Sequence, residues 1–202
     1  MSIVKLEPIS HKYFNEHGRE YLSVSKLIGT FSEKFDTERV SAAVAKSRGV
    51  SQESIKKEWD GMRDDACAHG TDVHQMLEDY SNHFTISPEN KQHEPAIKSI
   101  NNEFSGYARV HNEQVLYSDE YGVAGTTDKL LETTTHKNCI VDFADYKTNM
   151  RNGIQYESKY KKYMLGPVDH LQDCNYNKYS LQLSLYAYMF QEMTGRKIGK
   201  LF

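Results

Sequence analysis

Two aspartates and a lysine are the residues of this chain best placed by type and spacing to do chemistry. Asp145-Tyr146-Lys147 ends one run of β-branched and aromatic residues, and Asp128 follows Gly125-Thr126-Thr127 in the run before it. Side chains alternate along a strand, so Asp145 and Lys147 share a face, and a neighbouring strand can bring Asp128 beside them. Two carboxylates in one site repel unless a divalent cation lies between them, and hard oxygen ligands of this kind suit Mg²⁺ or Mn²⁺. A lysine beside that ion can stabilise the charge that develops on phosphorus during phosphodiester hydrolysis. Alone, an Asp-x-Lys at a strand end is more often a solvated edge or an ordinary salt bridge.

The triad has company. Gly70-Thr71-x-x-His74-x-x-x-Glu78 lies on a helical stretch, Glu113 on the strand before Asp128, and Gln182-x-x-x-Tyr186 on the last helix. Gly70 would let its helix pack closely and aim His74 inward; a lone histidine on a helix is otherwise a satisfied core or surface group. Glu78, one turn beyond, either orients that ring or faces solvent. Glu113, by itself, reads as an exposed strand carboxylate. Asp142 is a rival to Asp145, but it points to the opposite face of an ideal strand and lacks the spacing to Lys147.

These residues need elements to position them. Tyr13-Phe14, a turn at Asn15 to Gly18, and Glu20 to Val24 read as a hairpin, with Ser25 capping a brief helix that carries Leu27 and Ile28. Asp36 caps the next helix, whose face holds Val40, Ala43 and Val44 and which Gly49 ends. Ile55, Trp59, Met62 and Ala66, then Val73, Met76, Leu77 and Tyr80, repeat at helical spacing over about 51 to 82, as one long helix or two abutting ones. Pro95 opens a further helix with Ile97, Ile100, Phe104 and Tyr107. Strands follow at about 112 to 118, 122 to 132 and 138 to 147, joined by turn chemistry into an antiparallel meander. Residues 149 to 175 are irregular, and the chain closes with a helix carrying Tyr179, Leu183, Tyr186 and Phe190. Helices, meander, helix gives an α/β class in α+β order: a central mixed sheet flanked by helices, without a glycine-rich phosphate loop.

Composition bounds the rest. The 202 residues suit one domain, 1 to 202, with 1 to 50 as an N-terminal hairpin and helical extension. Three widely spaced cysteines exclude a disulfide scaffold and a zinc or iron-sulfur cradle. The start lacks a leader pattern and no run approaches the length of a bilayer span, so the expectation is a cytoplasmic protein with no membrane contact. A net charge of -3 means that any polyanion must be held by a local basic patch or by metal ions.

Taken in order, Gly70-Thr71-x-x-His74, Gly125-Thr126-Thr127-Asp128, Asp145-Tyr146-Lys147-Thr148 and Gln182-Leu183-Ser184-Leu185-Tyr186 resemble the PD-(D/E)XK nuclease superfamily in its RecB-like branch, over about residues 10 to 195. The resemblance is closest to small phage-encoded exonuclease-like members. It implies a restriction-endonuclease-like core and a metal-dependent DNA nuclease of phage or bacterial replication, recombination or degradation. It further implies one or two Mg²⁺ or Mn²⁺ ions held by Asp128, Asp145, the carbonyl of Tyr146, His74 and Glu113. Lys147 matches the catalytic lysine, and Gln182 a residue that positions the site or the phosphate backbone; Tyr186 reads mainly as packing. The iron-sulfur members are excluded, because their four cysteines are missing. Many relatives continue with a further strand and helix, whereas this chain stops at Phe202, so completion by a second copy or a partner chain is an expectation to weigh.

The one dense basic and aromatic cluster is Tyr156, Lys159, Tyr160, Lys161, Lys162 and Tyr163. Its rings can stack on frayed bases while its ammonium groups follow phosphates, or it is a solvated loop packed by its tyrosines. Lys46, Arg48, Lys56 and Lys57 read as ordinary exposed helix charge. The alternatives to a nuclease are a catalytically silent or incomplete nuclease-fold subunit that binds DNA or protein, and a metallophosphohydrolase acting on nucleotides.

Overall fold

One long strand, β5 (Val123–Glu132), organises the molecule, which we describe from a computed structural model covering residues 3–8, 10–136, 140–148 and 153–202. Strand β4 (Arg109–Ser118) pairs antiparallel with β5 along its whole length, from Arg109 opposite Glu132 to Ser118 opposite Val123. A strand has only two edges, so every other partner of β5 must share the second. There β3 (Glu20–Ser23) runs parallel beside Val123 and Ala124, and β6 (Val141–Ala144) runs antiparallel beside Lys129 to Glu132. Between these partners, Gly125 to Asp128 have no strand on that edge among the described residues, and the sheet forks.

The sheet has seven strands, is mixed, and is flanked by helices. The N-terminal hairpin is β2 (Lys12–Asn15) and β3, and its β3 pairing joins it to the main sheet. Two strands go beyond the sequence reading. β1 (Val4–Glu7) pairs antiparallel with β2, and β7 (Ile198–Leu201) pairs parallel with β6, so the chain closes with a strand and not with a helix. Both are short segments of four residues and lie on the sheet's outer edges, where little apolar alternation is needed to hold a ladder.

Helix α1 (Val24–Gly29) is capped by Ser23, whose side chain accepts from the Lys26 N–H, and not by Ser25, because the helix begins directly at the end of β3. Helix α2 (Thr37–Arg48) starts at Asp36 and ends at Gly49 as read; its buried positions are Ser41 and Ala45, while Ala43 faces solvent. Helix α3 (Gln52–His83) is a single element of 32 residues, about 48 Å long at 1.5 Å per residue. Its first half packs on α2, with Arg48 and Glu58 paired at 3.0 Å and Lys56 and Glu38 at 2.5 Å. Helix α4 (Glu94–Glu103) follows a 3₁₀ turn at Pro88–His93 and buries Ile97.

Helix α5 (Asn175–Thr194) supplies the largest share of the core. Leu183, Tyr186, Met189 and Phe190 are buried against Val24 and Ile28 of α1, Leu116 of β4 and Phe143 of β6. Phe143 and Phe190 meet edge to face, 5.5 Å between centroids. A second cluster, Val4, Tyr13, Tyr21, Tyr117 and Ala124, ties the hairpin to the meander. Among the described residues no helix is long and apolar enough to cross a membrane.

Gly125 explains how α5 can lie so close to β5: a Cβ there would come within 2.5 Å of Tyr186 Cε1 and 3.2 Å of Val24 Cγ2. The glycine that opens the Gly-Thr-Thr-Asp run is therefore a packing requirement. Gly125→Ala is expected to destabilise the fold by about 1–3 kcal/mol, as overpacking does, read as a lower urea midpoint at unchanged slope. Unaltered stability would show that α5 yields at this contact.

Candidate functional site

Asp128 stands at the fork. The β4–β5 register passes from Asn112 opposite Lys129 to Gln114 opposite Thr127, leaving Glu113 and Asp128 face to face outside the ladder pairs. Glu113 sits at φ 48°, a left-handed conformation that costs a non-glycine residue about 1–3 kcal/mol. Strand β6 ends at Ala144, earlier than the expected 147, and the first two positions of that expected strand, 138 and 139, lie outside the described residues. The reason is visible at Tyr146. Its N–H donates to Asp128 Oδ2 at 2.5 Å, so a carboxylate takes the donor that a strand carbonyl would otherwise accept.

Asp145 and Lys147 share a side, as alternation requires, and the Lys147 ammonium contacts the Asp145 carboxylate. Lys147 Nζ also donates to Gln182 Oε1 at 3.2 Å, and Gln182 Nε2 donates to Tyr186 Oη at 2.7 Å. Tyr186 is buried over Gly125, so the lysine is held by a line of contacts that ends in the core. Asp142 faces the other way. It accepts from Tyr107 Oη at 2.6 Å and from the Lys200 N–H at 2.7 Å, a structural role that ties β7 to β6.

The second half of α3 brings in His74. Its Nδ1 lies 3.3 Å from Asp128 Oδ1, and its ring meets Tyr146 edge to face at 6.0 Å. Gly70, one turn earlier, makes the approach possible: a Cβ there would stand 3.1 Å from Thr148 Oγ1. One ligand atom from each of His74, Glu113 and Asp128 lies within 4.8 Å of the others, a group that can hold a metal ion. Imidazole nitrogen with two carboxylates is a donor set for a hard or borderline divalent cation. Glu78 bonds along its own helix, where its Oε1 accepts from Asn82 Nδ2 at 3.4 Å.

Charge in the site is unbalanced toward the negative. Burial, then the field of Asp128, pushes the Asp145 carboxyl up to about 6 despite Lys147. Partial burial, then Asp128 and Glu78, pushes Glu113 at the rim up to about 7. The hydrogen bond to Asp128 raises His74, against burial. Added positive charge would relieve all of these.

Lys129 is a feature that the sequence reading missed. It is 1% exposed, its ammonium donates to Asn112 Oδ1 and lies 5.7 Å from the Tyr146 ring centroid. Burial pulls it down to about 8, against the fields of Asp128, Glu78 and Glu113. Its one sequence signal was a lysine inside a run of buried strand residues, directly after Asp128.

The 159–163 cluster is exposed but not uniformly basic. Lys162 pairs with Glu33 at 2.6 Å, Lys159 Nζ lies 5.7 Å from the Tyr160 ring, Lys161 sits at φ 51°, and Tyr163 bridges to Gln172. Glu33, Asp36, Glu157 and Asp173 line the same hollow as Lys159, Tyr160 and Lys162.

Comparison of the chain with protein-family models, with curated proteins and with solved structures finds no match.

The raised acids make stability depend on pH in a defined direction. Asp145 moves from 3.8 to about 6 and Glu113 from 4.5 to about 7, and His74 moves up from 6.5, so in each window the folded state binds more protons than the unfolded chain. The contribution of these three groups to stability then falls as pH rises from about 4 through about 7. Denaturation in EDTA is expected to show this fall, and Mn²⁺ or Mg²⁺ to flatten it in the wild type but not in Asp128→Ala. A cation effect of equal size in the variant would remove Asp128 from the ligand set.

Proposed function

We propose that this chain is a divalent-metal-dependent deoxyribonuclease with a restriction-endonuclease-like core, of RecB-like type and exonuclease-like in action, working on cytoplasmic DNA of a phage or bacterial system. The observation that carries the reading is the convergence at the fork of β5: Asp128 and Asp145 on adjoining segments, His74 on the first and Lys147 on the second. A structural salt bridge needs neither the histidine nor the strained Glu113 beside it.

Asp128, His74 and Glu113 would hold the cation, with Asp145 next to them. When bound, Mg²⁺ or Mn²⁺ supplies Lewis acidity and positive charge toward a phosphate. The protein's own share is mainly positional and electrostatic. The Tyr146 N–H fixes the Asp128 carboxylate, and His74 holds its other oxygen, so the acid cannot swing away. Lys147 carries the positive charge that hydrolysis needs as water joins phosphorus and the leaving oxygen departs. Gln182, bonded to both Lys147 and Tyr186, keeps that ammonium in place when substrate competes for it. Lys129, in a buried setting beside Tyr146, adds a further contact to that segment.

The test is cleavage of linear and closed, single- and double-stranded DNA in Mg²⁺, Mn²⁺ or EDTA. Asp128→Ala and Lys147→Ala are each expected to lower metal-dependent cleavage by at least about 10²–10³-fold, with circular dichroism unchanged. Gln182→Ala should lower it less, because it acts on Lys147 and not on phosphate. DNA binding without cleavage in any metal would replace the nuclease with the silent, binding-only subunit.

A further inference from the structure

The side of the site away from His74 is apolar. A cavity of about 300 Å³ opens at Asp145 and Lys147 and runs between α5 and the segment at 154, walled by Ile154, Tyr176, Tyr179 and Phe202. That volume is at the lower end of small-molecule sites, room for a flat ring system and far too little for a duplex. Lys147 Nζ lies 4.8 Å from the Tyr179 ring centroid, so the aromatic wall begins where the phosphate chemistry would end.

The rings continue outward in order. Tyr176 and Tyr179 lie three residues apart on α5, hence on one side of the helix. Tyr156 stands 5.0 Å from Tyr176, with the planes 34° apart. Tyr156 and Tyr176 are 68% and 47% exposed, so the fold does not use them as core. Yet the backbone beneath them is pinned: the Tyr176 N–H donates to the Gln155 carbonyl at 3.0 Å, and Cys174 Sγ to the Tyr156 carbonyl at 3.4 Å. Exposed rings on a fixed backbone are pre-ordered for stacking. A charged mouth that leads to a ring-lined cavity has the polarity of a nucleotide, phosphate at one end and base at the other.

We infer that this cavity seats the nucleobase next to the phosphate at Lys147, against Tyr176 and Tyr179, with Tyr156 stacking the following base, so that the substrate is a single strand or a frayed end. The inference rests on the nuclease reading for its phosphate, and on the rings for its base. A paired base is enclosed by its neighbours and its partner and must leave the stack before it can enter such a pocket. The tyrosines offer π-faces and few fixed donors, which makes the pocket tolerant of base identity.

Binding separates the two readings. The full chain carrying Asp128→Asn keeps a carbonyl for the Tyr146 N–H while losing one negative charge and cleavage. In EDTA, a single-stranded oligodeoxynucleotide of about ten nucleotides with 2-aminopurine at successive positions is titrated against it. The expected result is quenching at one or two adjacent positions, a Kd about tenfold weaker when Tyr176→Ala removes one stack, and recovery with Tyr176→Phe. The matching duplex should bind more weakly and ignore Tyr176→Ala. Unchanged Kd and quenching in Tyr176→Ala, equal loss on duplex, or no binding of the single strand would each overturn the pocket. Wild-type cleavage in Mg²⁺ indifferent to Tyr176→Ala would overturn it too and leave the nuclease standing, whereas Tyr176-dependent binding with no cleavage in any metal would keep the pocket and remove the nuclease.

Discussion

A single hydrogen bond sets the geometry of the site: the Tyr146 N–H bonded to the carboxylate of Asp128 where a β-ladder would have offered a carbonyl. A charge-assisted bond of this kind is shorter and stronger than a neutral one. It ends β6 at Ala144 and turns an aspartate into part of the sheet's own bonding. It also leaves Asp145, Tyr146 and Lys147 outside the ladder, beside a gap that no strand fills among the described residues. The fork of β5 is therefore both a defect in a sheet and a cleft with acids at its floor.

Around that bond the structure assembles more negative charge than its own cations offset. Lys147 contacts Asp145, His74 lies on Asp128, and Lys129 is held by Asn112 and Tyr146. Burial, and then the charge of Asp128, still raises the proton affinity of Glu113 and of Asp145. Close packing keeps the acids from separating: Gly70 and Gly125 admit α3 and α5 to contact distance. A set of acids held together with two of them, Asp128 and Asp145, largely out of water has a cation as its simplest remedy.

Much of this was legible in the sequence. The meander, the long α3, the Asp36 and Gly49 caps and the opposite facing of Asp142 follow from spacing and turn chemistry, which act locally. The pairing of Asp145 with Lys147 agrees with their two-residue spacing, although the strand itself ends at Ala144. What was hidden depends on contacts between distant segments. The fork arises because β3 and β6 compete for one edge of β5, and β1 and β7 are too short to announce themselves by periodicity. The burial of Lys129 depends on Asn112 and Tyr146, which come from other segments. The ring row of Tyr156, Tyr176 and Tyr179 joins a loop to a helix, and no periodicity links them.

The left-handed Glu113 bears on how this chain can drift under mutation. Glycine or asparagine would hold that conformation at lower cost, so a screen for thermostability alone would favour losing the carboxylate. Improved folding and an intact set of acids would then pull this one codon in opposite directions. Natural variation at that position would therefore record which of the two pressures has governed the protein's history.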